Sequence, residues 1–170
     1  MKQTSNSLSA THTKETKSVV NYIKVRFPAK SVNESLARMV AASLVCQIDP
    51  TIDELADIKT AVSEAVTNCI VHAYSNSGGV IDLTAQLFSD RTLRIVVRDK
   101  GIGISDIEKA KEPLFTTDHS GERSGMGFSI MESFCDKMRV TSHAGKGTVV
   151  TLEKKISTGT SGSISARDIR

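Results

Sequence analysis

Apolar and polar residues alternate in several stretches of this chain, and elsewhere apolar residues recur at the three- and four-residue spacing of a helix. Ile23, Val25 and Phe27 alternate with Tyr22, Lys24 and Arg26 as far as Pro28, which predicts a strand with one buried face. Ser31-Val-Asn-Glu34 has the spacing of a capping box. It predicts a helix whose apolar face holds Val32, Leu36, Met39, Val40 and Leu44 and which ends before Asp49-Pro50. Thr51-Ile-Asp-Glu54 repeats the signature and predicts a long helix to about Tyr74, with Ile52, Leu55, Ile58, Val62, Ala65, Val66, Cys69 and Ile70 as its buried stripe.

Two alternating runs follow. Ile81, Leu83, Ala85 and Leu87 form one, Leu93, Ile95 and Val97 the other, and Ser89-Asp90-Arg91 between them predicts a hairpin. A short helix over 105–111 ends before Pro113. Residues 114–124 have no periodicity and are rich in Thr, Asp, Ser and Gly; so long a loop in a compact domain is functional or disordered. A helix from about Gly125 buries Phe128, Ile130, Met131, Phe134 and Cys135. A last hairpin pairs 139–144 with 148–155 around Gly145-Lys146-Gly147.

This order, with no internal repeat, predicts an α+β fold: a two-layer sandwich with helices on one face of a mostly antiparallel mixed sheet. The domain spans 19–156, between a flexible leader over 1–18 and a disordered tail over 157–170, both rich in Ser and Thr.

Composition changes this picture little, but it excludes several functions. A net charge of +3, no Trp and 4% aromatic residues argue against nucleic-acid binding. No apolar run approaches the about 20 residues of a membrane helix, and the polar N-terminus is no secretory signal. Cys46, Cys69 and Cys135 are odd in number, lack a CxxC pair and fall within apolar helical patterns. They read as small buried hydrophobes in a reducing, cytoplasmic compartment.

The candidate chemistry starts at Asp99. It continues the inward parity of Leu93, Ile95 and Val97, so a carboxylate stands where the strand pattern calls for an apolar residue. Gly101 and Gly103 follow at once and permit close backbone approach. A buried carboxylate needs a partner, from the protein or from a ligand with a donor edge such as an adenine amino group. On the long helix Glu64 and Asn68 lie one turn apart, with His72 in the same row beside the apolar stripe. Alone they could be a solvated polar row. Arg123-Ser124-Gly125-Met126-Gly127 precedes the last helix, where converging N–H groups favour an anion and Arg123 adds a planar fork. Alone this could be a flexible helix start, and no Gly-Lys-Ser/Thr of a Walker loop occurs.

Together, Glu64-x-x-x-Asn68, Asp99-x-Gly-x-Gly, Gly125-x-Gly and Gly147-Thr148 run in this order through most of the domain. The combination resembles the Bergerat-type ATP-binding fold shared by gyrase-type ATPases, Hsp90 chaperones, sensor histidine kinases and MutL-type proteins. Ser-Glu64-Ala-Val-Thr-Asn68, Arg98-Asp99-x-Gly-x-Gly, Glu112-Pro-Leu-Phe-Thr-Thr117 and Glu122-Arg-Ser-Gly-Met-Gly-Phe128 narrow the match. They closely resemble the sporulation anti-sigma F factor family. The resemblance covers about 22–156 and extends to Asn33-Glu-Ser-Leu-Ala-Arg38 and Gln47-Ile-Asp-Pro-Thr51. Lys100 departs from the family, which more often has an acid there; strand parity turns it away from Asp99.

The resemblance implies a serine-protein kinase that also inhibits a sigma factor. Asp99 would accept from the adenine amino group, assisted by Thr148 and water, and Asn68 would hold Mg2+ on the phosphates of ATP. Gly101, Gly103, Gly125 and Gly127 would admit the nucleotide, with Ser124 and Met126 beside it. Residues 114–124 would form a lid from which Arg123 and Thr117 reach the terminal phosphates, and Glu64 would orient or deprotonate the attacking serine. The implied partners are sigma factor F, met through Glu34 and Arg38, a serine-phosphorylated anti-anti-sigma protein, and a second copy of the chain in a homodimer. Glu34 and Arg38 also fit a plain i, i+4 ion pair.

Three rivals share the fold. A sensor histidine kinase fragment needs an acceptor histidine on a dimerising helix, yet His12 lies in the polar leader and His72, His119 and His143 lie inside the domain. A general-stress anti-sigma kinase is the second. The third is a regulatory module that binds ATP without transferring it, for which Glu64 discriminates, since binding alone requires no base.

Overall fold

The computed structural model describes residues 17–75, 78–112 and 125–157. Expectations placed on 1–16, 113–124 and 158–170, including those for Thr117, Arg123 and Ser124, lie outside the described residues.

Strands β1 (Val19–Pro28), β2 (Val80–Phe88), β3 (Thr92–Arg98), β4 (Lys137–His143) and β5 (Gly147–Lys155) form one sheet in the order β1-β2-β3-β5-β4. Every pairing among them is antiparallel. The predicted alternation places Ile81, Leu83, Ala85, Leu87, Leu93, Ile95 and Val97 in the core. Helices α1 (Glu34–Val45), α2 (Ile52–Asn68) and α4 (Gly127–Phe134) cover that face, with α2 in the middle and a short α3 (Ile107–Lys111) at its edge. The fold is thus the expected two-layer α+β sandwich. The other face is polar, and Arg26 and Asp82 form an ion pair across it at 2.7 Å.

α2 starts on the predicted capping box. Thr51 Oγ1 accepts from the Glu54 N–H at 3.1 Å, and Glu54 Oε2 accepts from the Thr51 N–H at 2.8 Å. The matching box at Ser31 does not form. Ser31–Asn33 is a 3-10 turn without a side-chain cap, and α1 begins only at Glu34. The physical reason is competition, because the Glu34 carboxylate accepts from Ser63 Oγ on α2 and from Arg38 Nε at 3.2 Å.

The buried face of α1 also differs from expectation. Ala37, Ala41, Ala42, Leu44 and Val45 are inside, whereas Val32 (77% exposed), Met39 (64%) and Leu36 face out. Small side chains let α1 approach α2 and the sheet closely, and that contact outweighs the size of the outward residues. Ile52 is likewise 86% exposed, at the first position of α2. Cys46 is exposed rather than buried; Cys69 is buried and Cys135 intermediate.

The long helix does not stay regular to Tyr74. After Asn68 it widens into a π turn over Cys69–Ala73, closed by the Tyr74 N–H on Cys69 O at 3.2 Å. At the β2–β3 turn Arg91 takes a positive φ of 62°, and its buried guanidinium donates to Ile48 O at 2.5 Å and Ser157 O at 2.8 Å. This ties the turn to the end of α1 and to the exit of β5.

Candidate functional site

Asp99 follows the last residue of β3 and is 4% exposed. Its Oδ1 accepts from the Gly101 N–H at 2.8 Å and from the Thr148 N–H at 3.2 Å. Its own N–H donates to Thr148 O at 3.0 Å, which extends the β3–β5 pairing by one step. Among the described residues Oδ2 is served only by a weak donor, the Cys69 thiol, at 3.6 Å. That thiol also lies 3.3 Å from Ala65 O, so its single proton is shared. Burial, and then the charge of Asp99, push the Cys69 pKa well up, which keeps the sulfur protonated as a donor. One carboxylate oxygen is thus fully engaged and the other retains accepting capacity.

The glycines that follow are required where they stand. A Cβ on Gly101 would lie 2.1 Å from Ala73 O, the carbonyl at the end of the π turn that also accepts from the Ile102 N–H at 3.0 Å. Gly103 has φ +70°, and a Cβ there would meet His143 O at 2.1 Å. The Asp99–Ile104 loop is therefore held between the end of the long helix and the β4–β5 hairpin. Tyr74 Oη reinforces it by accepting from the Lys100 N–H at 2.8 Å and donating to Val80 O at 2.7 Å.

Glu64 and Asn68 lie at the other end of the same region, on α2. A Cβ built on Gly127 would be 3.0 Å from Glu64 Oε2 and 3.4 Å from the Asn68 amide atoms. The first residue of α4 therefore sits directly on this pair, and a side chain there would press on it. Met126 at the N-cap position offers no side-chain cap, so the first-turn N–H groups of α4 emerge beside Glu64 and Asn68. Such a helix start, a carboxylate and an amide oxygen suit a polyphosphate and the hard cation that accompanies it. Gly125, with φ +65°, leads into this turn.

The structure therefore brings together Asp99, Gly101, Gly103 and Thr148 at one end and Glu64, Asn68, Met126 and Gly127 at the other. Glu34 and Arg38 belong to a separate place, the α1–α2 contact. There Glu34 is largely enclosed, its side chain 18% exposed against 42% for Arg38. Sequence reasoning missed Cys69 as a partner of Asp99, and it missed Ser142. Cys69 stands 30 positions from Asp99 and Ser142 stands 38 from Ile104, so no local spacing could have revealed these two contacts, although Ser142 also meets Gly147 and Thr148 within its own hairpin. Among the described residues no three or more His, Cys, Asp or Glu side chains stand together as a metal cage. No helix there is long and apolar enough to cross a membrane.

This two-layer fold is that of a histidine kinase-like ATPase domain. Residues 27–154 match the family model described as a histidine kinase-like ATPase domain. A third of the solved structure of the RsbU and RsbW domains of Rv1364c from Mycobacterium tuberculosis shares this fold, with a TM-score of 0.58 and 21% identity over 81% of this chain and 33% of that one. Much nearer in sequence is the anti-sigma F factor of Clostridium acetobutylicum, 53% identical over 79% of this chain and 94% of the relative. The anti-sigma F factor of Caldanaerobacter subterraneus is 54% identical over 80% of this chain and 94% of the relative. The chain belongs to the anti-sigma F factor family.

Proposed function

We propose that this chain binds ATP with Mg2+, transfers the γ-phosphoryl group to a serine of an anti-anti-sigma protein, and binds sigma factor F so as to keep it from RNA polymerase. One observation carries the nucleotide reading: a buried carboxylate, Asp99, keeps an oxygen able to accept, in the same fold region as a helix start packed on Glu64 and Asn68. The names of the relatives support the sigma factor partner.

In this reading Asp99 Oδ2 accepts from the adenine amino group, and the loop of Gly101 and Gly103 lies along the base. The α4 N-terminus, with Gly125, Met126 and Gly127, receives the phosphates, together with Ser124, Thr117 and Arg123 from the neighbouring segment. The amide oxygen of Asn68 is a hard donor of the kind that would hold Mg2+. Bound there, Mg2+ would neutralise charge on the phosphates. Glu64 accepts the proton of the incoming serine hydroxyl. The serine oxygen bonds to the γ-phosphorus as the bond to the β-γ bridging oxygen breaks and ADP leaves. Positioning and charge neutralisation supply most of the rate.

Arg38, with the exposed Leu36 and Met39 on the same helix and Val32 in the turn before it, offers the sigma factor a charged and apolar surface. Glu34 orients Arg38 within it. We further propose a homodimer acting in the cytoplasm.

The test is incubation of the chain with labelled ATP, Mg2+ and the anti-anti-sigma protein, comparing wild type with Glu64→Gln. Label on a partner serine that disappears in the variant, while ATP affinity persists, is the expected result. Wild-type rates in Glu64→Gln would remove Glu64 as the base. Nucleotide binding with no transfer by the wild type would make the domain a regulatory module, and label on a histidine of this chain would make it a histidine kinase.

A further inference from the structure

Asp99 is the first of three buried polar side chains in a row across β3, β5 and β4. Thr148 stands against it, tied by two backbone contacts, and Ser142 stands opposite Thr148 in the β4–β5 register. Thr148 and Ser142 are both buried on the helix-facing side of the sheet.

Ser142 is the hub of this row. Its Oγ accepts from the Ile104 N–H at 2.8 Å, donates to Gly147 O at 3.0 Å, and lies 2.8 Å from Thr148 Oγ1. A serine hydroxyl has one proton and two lone pairs. The Ile104 N–H can only donate and the Gly147 carbonyl can only accept, so these two contacts use one lone pair and the proton. The contact with Thr148 must then run the other way, with Thr148 donating its hydroxyl proton into the second lone pair of Ser142. Thr148 Oγ1 is left with lone pairs alone. Beside it, Asp99 Oδ2 is also an acceptor.

We propose that Ser142 is a positioning residue for base selection: by consuming the Thr148 proton it fixes the base-reading end of the site as a surface of acceptors. This rests on the reading that Asp99 holds a purine. A threonine hydroxyl that turns freely can offer a proton to an oxygen as readily as a lone pair to an N–H group. Held by Ser142 it cannot, so a base with a 6-amino group is accepted and a base with a 6-oxo group meets lone pairs at both positions. The same Ser142 oxygen holds the Ile104 N–H, so the residue that sets the hydroxyl also sets the end of the Asp99–Ile104 loop. Direction of selection and placement of the loop thus depend on one side chain.

The experiment measures equilibrium binding of ATP and of ITP, its 6-oxo counterpart, to the full chain with Mg2+. The proteins are wild type, Ser142→Ala, Ser142→Thr, Thr148→Val and the Ser142→Ala/Thr148→Val double variant. Wild type should prefer ATP. Ser142→Ala frees the Thr148 hydroxyl to donate, and the preference should narrow about tenfold, the worth of one hydrogen bond of about 1.4 kcal/mol. Ser142→Thr keeps the oxygen and should keep the preference. In the Thr148→Val background Ser142→Ala should leave the ATP-to-ITP ratio unchanged, because no hydroxyl remains to be oriented; losing the Ile104 contact there weakens both nucleotides alike. A wild-type preference in Ser142→Ala, or a change of the ATP-to-ITP ratio that persists in the Thr148→Val background, overturns the proposal. Should Ser142→Ala not fold, Thr148→Val alone decides, since it must also narrow the preference and an unchanged ratio refutes the assignment. A wild-type chain that binds neither nucleotide overturns the purine reading itself, and is distinct from binding both with an unaltered ratio in the variants.

Discussion

Asp99→Asn is the sharpest single perturbation of the proposed site. The asparagine carbonyl can take the place of Oδ1 and keep both backbone donors, Gly101 N–H at 2.8 Å and Thr148 N–H at 3.2 Å. Its amide nitrogen then occupies the position of Oδ2, facing the Cys69 thiol and the adenine amino group. Two losses follow. A charge-assisted hydrogen bond to the amino group disappears, worth about 1.5–3 kcal/mol, and a donor now faces a donor. At about 1.4 kcal/mol per decade, ATP affinity should fall roughly ten- to a hundredfold. Affinity for ITP should fall less, because the new amide can donate to a 6-oxo group. The fold should be nearly unaffected, since the buried group loses its charge but keeps its backbone partners. Isothermal titration calorimetry with both nucleotides, alongside thermal unfolding, measures each term. Unchanged ATP affinity in a variant that unfolds at the wild-type temperature would refute the assignment of Asp99 to the base.

Gly101→Ala drives a methyl group into the Ala73 carbonyl, 2.1 Å from the ideal Cβ position, and should cost about 1–3 kcal/mol in denaturant unfolding while weakening nucleotide binding. Thr51→Ala removes the capping box of α2 and should cost about 1 kcal/mol; a loss within error would mean that the box contributes nothing. Partial burial raises the Glu54 pKa, but N–H groups of Ser157 and Thr51 outweigh it and leave the carboxyl below its ordinary value. Its stabilising contribution is therefore complete above the ordinary carboxylate range and disappears as pH falls through the lowered value, so Glu54→Gln should flatten the acid limb of a melting-temperature profile. Among the cysteines, iodoacetamide should label exposed Cys46 first. Burial raises Cys69 and brings Cys135 to about 11, so both should label slowly until the chain unfolds; equal rates by mass spectrometry would contradict that environment.

What the sequence could reveal was what short-range physics decides. The Thr51 box forms because donor and acceptor are three residues apart, and the Ser157 N–H from which Glu54 also accepts takes its other oxygen, Oε1. The Ser31 box has the same letters and fails, because Ser63, 29 positions away, draws the Glu34 carboxylate across to α2. Strand alternation from Ile81 to Val97 and the inward acid at Asp99 follow from a two-residue period, so they were readable. The face of α1 was not, because a hydrophobicity ranking favours Leu36 and Met39 over Ala37 and Ala41, while close helix packing rewards the small residues. The glycines, Glu64, Asn68 and Asp99 were legible as motifs. Cys69 became visible as a partner of Asp99 only when the long helix and β3 were brought together, and Ser142 only when the loop after Asp99 met the last hairpin.

In the proposed function the long helix explains how one site can serve base and phosphate separately. Its α-helical part ends at Asn68 and carries Glu64 and Asn68 toward α4; its π turn, Cys69–Ala73, carries Cys69 to Asp99 and the Ala73 carbonyl to the Asp99–Ile104 loop. The change in helix geometry therefore falls between the residues assigned to phosphate and those assigned to base. At the base end the contacts are buried, short and mostly to backbone, including the Ala73 carbonyl, the Thr148 N–H and the Ser142 hub. Such contacts have one low-energy arrangement, which makes that end a fixed template. At the phosphate end Glu64 and Asn68 are only partly buried, and their neighbour is the first turn of α4 rather than the sheet. A partner bound near α4 could then alter phosphate handling without disturbing the base pocket, whereas a change at Ser142 or Cys69 would act on the base and leave Glu64 in place. Separable control of this kind is what a protein requires if its choice of partner depends on which nucleotide phosphates it holds.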